Sequence, residues 1–149
     1  VERIGYIEAE RSLLKILMTY PGTFERIRDS ISYNDFTDAT HKKIARIFYD
    51  FYVEGNLASP EEIYNQLNQD EYGIFEKIRE QIIPEESIDR ALLDYKNTIQ
   101  KNKLIREKNQ IQKQLKIFEE VEDRSEEWAE RIKELCIHYE EILKELKKS

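Results

Sequence analysis

Few residues in this 149-residue chain are of types that perform chemistry, and their spacing is unpromising. The histidines are His41 and His138, and the single cysteine is Cys136. A structural or catalytic metal needs several ligands converging from short, repeated spacings. Neither histidine has such a set beside it, so no metal site is expected. His41, in "ATHKKI", reads as a helix-surface or packing residue, and His138 as a solvated one. Cys136 lies on an apolar stripe and reads as a small core hydrophobe rather than a nucleophile. No glycine-rich phosphate loop, nucleophile elbow or paired-Asp motif occurs. The many carboxylates lie in runs typical of solvated helix faces. The reading is a non-catalytic chain that needs no cofactor.

The elements that position these residues are expected to be helices. Hydrophobic residues make up 40% of the chain, with 9 Tyr and 6 Phe, which argues for a folded core. Only 4 Gly and 3 Pro leave few tight turns, and 37% charged residues give each helix a solvated face. The net charge of −7 disfavours global attraction to nucleic acid or to an anionic membrane. One cysteine fits a reducing cytoplasm, and no apolar run approaches the roughly 20 residues that span a bilayer. The chain starts at Val1 without Met, which reads as a fragment of a longer protein.

Along the chain, Ile7, Leu13, Leu14, Ile16, Leu17 and Met18 mark a helix over 6–19, stopped by "YPG". Phe24, Ile27 and Ile31 suggest a short second helix. Asp38 is an N-cap candidate for a helix over 39–54, with Gly55 at its end. Ser59–Pro60–Glu61–Glu62 is a strong helix start. Helices are expected at about 60–68 and 71–83, and Pro84 closes the section.

No Gly or Pro occurs from 85 to 149. Over 86–118 the apolar stripe changes face: Ile88, Leu92, Tyr95 and Ile99 share one line, Leu104, Ile111, Leu115 and Phe118 another. At about 100° per residue these lines lie roughly 140° apart. A long helix at about 86–118 is therefore expected to dock on the preceding bundle with its first half. Its second half is expected to dock on a returning helix over 125–147, after a turn at 119–124. The fold class is all-α: a compact bundle over 1–100, a shared long helix, and a C-terminal hairpin over 101–149. The break at Lys101–Lys103 is read as a point of flexure.

The final helix carries the sharpest signal. Trp128, Ile132, Leu135, Tyr139, Ile142 and Leu146 recur at intervals of 4, 3, 4, 3 and 4, with Ala129, Cys136 and Leu143 running beside them. The facing stripe offers four large residues, so a surplus is expected to meet a partner. Trp and Tyr are types enriched in interface hot spots. The expected partner-binding residues are Trp128, Ile132, Leu135, Tyr139, Ile142, Leu143 and Leu146. A basic run, with Lys101, Lys103, Arg106, Lys108, Lys113 and Lys116 against Glu107 alone, raises nucleic acid as a ligand. No aromatic is interleaved in it. An acidic run follows (Glu119, Glu120, Glu122, Asp123, Glu126, Glu127), so the opposite-sign blocks read as helix pairing instead.

The stretches "EAERSLLKILMTYP" (8–21), "YNDFTDATHKKIARIFYDFY" (33–52) and "NTIQKNKLIREKNQIQKQL" (97–115), with the hairpin that follows, resemble the C-terminal helicase-interaction domain of bacterial replicative primase. "AERSLL" and "DFTDATHKKI" also resemble the N-terminal domain of the replicative helicase, which shares the bundle fold. The primase resemblance implies a module without catalysis of its own, whose parent protein is a DNA-directed RNA polymerase. It implies a bundle that stimulates the helicase and a hairpin, Trp128 to Leu146, that attaches to the N-terminal collar of the helicase hexamer. Phe36 reads as a core plug. The alternatives are the helicase's own N-terminal domain, self-associating in a ring, and an unrelated helical adaptor or nucleic-acid-binding protein. A hairpin-swapped homodimer is plausible in the absence of the partner.

Overall fold

A computed structural model of the chain describes residues 2–122 and 124–148. Val1, Asp123 and Ser149 lie outside the described residues, and with Asp123 part of the turn expected at 119–124. Among the described residues the regular structure is helical, with no strand: α1 (Glu2–Thr19), α2 (Phe24–Ile27), α3 (Ala39–Val53), α4 (Pro60–Gln66), α5 (Gln69–Glu80), α6 (Ile88–Glu119) and α7 (Glu126–Lys148). The all-α class holds. Short 3-10 turns stand at Pro21–Thr23, Tyr33–Asp35 and Glu85–Ser87.

Local chemistry sets the helix ends. Asp38 accepts from the backbone N–H groups of Thr40 (2.9 Å) and His41 (3.0 Å), satisfying two donors that the first turn of α3 leaves open. At the other end Gly55 adopts φ 79°, a conformation that favours glycine. There the Asn56 N–H reaches the Phe51 carbonyl and the Gly55 N–H that of Tyr52, closing a Schellman cap. Ser59 and Glu62 form a reciprocal capping box on α4, with Pro60 in its first turn, and Asn68 and Glu71 do the same for α5. α5 stops at Glu80, three residues short of the expected end, because Gln81 is extended (ψ 131°). Pro84 adds a bias of the residue before it away from the helical region.

The chain separates into two compact units, residues 1–100 and 101–149. The core of the first is built from α1 (Leu13, Leu14, Ile16, Leu17), α3 (Ile44, Ala45, Ile47, Phe48) and α5 (Phe75, Ile78), with Phe36 wholly buried among them. Ala91, Leu92 and Ile99 of α6 join this core, with Ile88 and Tyr95 packed against it. Tyr49 Oη donates to the Ile31 carbonyl and Tyr52 Oη to that of Leu17, both at 2.6 Å, so the phenols satisfy backbone acceptors in and after the first helices. The second unit has a small core of its own: Ile111, Leu135 and Ile142, with Leu104, Leu115, Phe118, Tyr139 and Leu146 packed on it.

Candidate protein-interaction surface on the hairpin

The second unit pairs residues 101–119 of α6 with α7 across a seam spaced by threes and fours. Leu135 and Ile142 sit at its centre, 4% and 3% exposed. Tyr139 and Leu146 flank them in the seam, and Tyr139 Oη accepts from Gln112 Nε2 at 3.0 Å. Trp128 is half-buried at the N-terminal end of α7, where its Nε1–H donates to the Phe118 carbonyl at 2.8 Å. The Arg124 guanidinium lies 5.0 Å from the indole ring centre. Ile132 and Leu143 are half-buried. Closing the hairpin thus consumes Leu135 and Ile142, and of the seven residues assigned to partner binding these two present almost no surface. Trp128, Ile132, Tyr139, Leu143 and Leu146 retain part of theirs.

One expectation is corrected. Cys136 is not a core hydrophobe: it is exposed, as is Ala129 on the same line. The reason is rotational. Each residue turns the helix by about 100°, so Cys136 points well away from the seam that Leu135 enters. A single facing helix covers a narrow stripe, not the broad one the sequence displays. His138 is exposed, in line with its reading as solvated. It lines a shallow groove on one side of the hairpin with Glu107, Gln110, Gln114, Arg131 and Glu134, floored by Ile111 and Leu135.

Sequence reasoning missed a polar cluster inside the first unit. Glu10, 1% exposed, accepts from Thr37 N (2.9 Å) and Thr37 Oγ1 (2.7 Å), and lies 2.9 Å from His41 Nδ1. Arg11 Nε donates to His41 Nε2 at 3.3 Å. That nitrogen must then be unprotonated, which puts the imidazole proton on Nδ1, donated to Glu10. His41 is 0% exposed, so of its two readings packing is the correct one. The signal was present: Glu10 falls among Ala9, Leu13 and Leu14 on a buried helix face, where a carboxylate requires partners. Its partner, 31 residues away, leaves no trace in local periodicity.

The cluster is closed, and among the described residues no buried side-chain nitrogen or oxygen lacks a hydrogen-bond partner. Nor do three or more His, Cys, Asp or Glu converge there or elsewhere among the described residues in a way that could hold a metal. Among the described residues no helix is long and apolar enough to cross a membrane.

Residues 5–73 match the family described as the DnaB-like helicase N terminal domain. The match runs from α1 into α5 and covers a little less than half of the chain. It supports a bundle of the helicase N-terminal kind, a fold associated with DNA replication. No curated protein and no solved structure matches the chain.

Proposed function

We propose that the chain is a non-catalytic protein-interaction module of the bacterial replication machinery that binds the N-terminal collar of the hexameric replicative helicase. In this reading it is the helicase-binding domain of a primase and recruits that enzyme to the fork. It works in the cytoplasm, where Cys136 remains a thiol. The observation that carries the coarser part is the DnaB-like match over residues 5–73. That match, by name, favours a second reading at least as well: the chain as the helicase's own N-terminal domain.

The primase side is supported by what lies outside the match. Residues 97–115 and the hairpin carry the primase resemblance. The outer positions of α7 are largely charged. Lys133, Glu140 and Lys144 are exposed there, with Ile137 the one large apolar residue among them. Such a surface suits a solvated hairpin that docks along one edge.

Sedimentation velocity with and without the cognate helicase hexamer tests the two readings. The primase reading expects a chain that stays small alone and moves with the hexamer when mixed. Concentration-dependent assembly of the chain alone into rings would overturn it in favour of the helicase domain.

A further inference from the structure

Arg11 is the surface end of the buried cluster around His41. The backbone N–H groups of Thr37 and Asp38, at 2.9 and 3.4 Å, hold the Glu10 carboxylate, and Glu10 takes the His41 Nδ1–H. His41 Nε2 is left as an acceptor, and it receives the Arg11 Nε–H. Two buried side chains thus fix the plane of one half-buried guanidinium group. That bond occupies only Nε. Among the described residues, Nη1 and Nη2 of Arg11 make no hydrogen bond and no ion pair. No buried side-chain nitrogen lacks a partner there, so these two atoms reach solvent. A local carboxylate is at hand, because Glu8, three residues back on α1, stands at a spacing that pairs charges on a helix. It accepts instead from Gln81 Nε2 at 3.5 Å. Arg26, Arg28, Arg79 and Arg131, by contrast, each close on a carboxylate. The outer edge of Arg11 is held in place and left open.

We infer that this edge is a binding site on the bundle for a single carboxylate, the Asp or Glu side chain of a partner protein. A planar guanidinium with both Nη groups free meets a carboxylate through two parallel bonds. Fixing its plane beforehand cuts the entropy cost of that pairing. A phosphate is the poorer occupant. The backbone N–H groups of Thr40 and His41, which at a helix N-terminus would assist a phosphate, are already taken by Asp38. Residues 101–149 balance in charge, so the whole net charge of −7 lies on residues 1–100 and opposes a polyanion. The inference rests on the proposed reading, in which the carboxylate belongs to the helicase collar.

Footprinting reads the site without a mutation. The intact chain is labelled sparingly with phenylglyoxal, which condenses with free guanidinium groups, alone and with the cognate helicase hexamer. Mass spectrometry follows Arg11, with exposed Arg90 as the internal reference. Labelling of Arg11 is expected to fall at least about fivefold in the complex, because the paired carboxylate excludes the reagent. Arg11→Lys keeps the charge but not the two-pronged edge, and its affinity should fall about tenfold, with urea midpoints checking the fold. The footprint alone decides if that variant proves unfolded. Equal labelling in the free and bound chain, or wild-type affinity in Arg11→Lys, would overturn the inference while leaving the proposed function standing. Labelling that falls as the chain alone is concentrated would place a second copy on the site and also overturn it. Failure of the wild-type chain to bind the hexamer at all would remove the proposed function and this inference together.

Discussion

The indole N–H of Trp128 donates to the carbonyl oxygen of Phe118 at 2.8 Å, joining the first turn of α7 to the last turn of α6. The same carbonyl accepts from Val121 N at 3.3 Å, so an acceptor that the helix end leaves open is doubly satisfied. Ser125 Oγ accepts from Trp128 N, at 3.2 Å, on the α7 side. The tip of the hairpin is thus held by a side chain that the sequence marks as an interface aromatic.

Trp128→Phe keeps a ring and removes the donor. It is expected to loosen the tip by about 1 kcal/mol, the usual net value of one such bond. Hydrogen exchange in the first turns of α7 measures this, and protection equal to wild type would show that the bond contributes nothing. Trp128 is the only tryptophan, so in the wild-type chain its fluorescence should follow opening of the hairpin.

Leu135 and Ile142 form most of the small hairpin core. Leu135→Ala is expected to cost about 2–5 kcal/mol, the range for truncating a buried Leu. A core of three buried residues has little reserve, so α7 should melt separately from the bundle. A denaturation curve followed at Trp128 and by circular dichroism checks this. A single unchanged transition would mean that the hairpin does not depend on this residue. Loss of helicase binding by Leu135→Ala would then report an unfolded hairpin and not a lost contact.

In the bundle, Glu10→Ala leaves His41 and the Thr37 donors without their acceptor. The expected cost is about 1–3 kcal/mol for each buried donor left unsatisfied. Glu10→Gln, which keeps two polar atoms in place, is expected to cost less. Equal midpoints for the wild-type chain and Glu10→Ala in urea would remove the stabilising role assigned to this cluster.

The buried phenols give a pH dependence. Burial pushes Tyr52 from 10.0 up to about 12. Tyr49 is pushed higher still, by burial and then by the nearby Asp35 carboxylate. A phenol whose value is raised by folding stabilises the fold fully below its unfolded value and ceases to do so as pH rises through the folded one. Stability should therefore hold up to about pH 10 and fall toward pH 12 and above, by linkage between folding and ionisation. Spectrophotometric titration is expected to show late phenol ionisation coinciding with loss of helix, and Tyr52→Phe should shorten that late phase. Ionisation of every tyrosine near pH 10 with the helices intact would contradict the burial argument.

Much of the bundle was legible because its signals are local. Asp38, Ser59–Pro60–Glu62 and Gly55 announce helix ends through hydrogen bonds spanning only a few residues, and each stands where its chemistry put it. The change of stripe on α6 was also readable, since Leu92 and Ile99 enter one core and Ile111 the other. What stayed hidden depends on partners distant in sequence. The Glu10–His41 pair joins two helices whose periodicities do not mention each other. The exposure of Cys136 depends on how many helices cover α7, a quantity that a stripe on one helix does not encode. The end of α5 was missed because the extended run from Gln81 to Pro84 still carries Ile82 and Ile83, which continue the apolar pattern.

Calorimetric titration of the intact chain into the cognate replicative helicase hexamer tests the central claim most directly. Docking through one hairpin edge is expected to give saturable, reversible binding, with a heat-capacity change of the sign produced by burying apolar surface. It should weaken only moderately with salt, since apolar burial rather than ion pairing is expected to drive it. No heat and no complex at concentrations where the chain is folded would contradict the account.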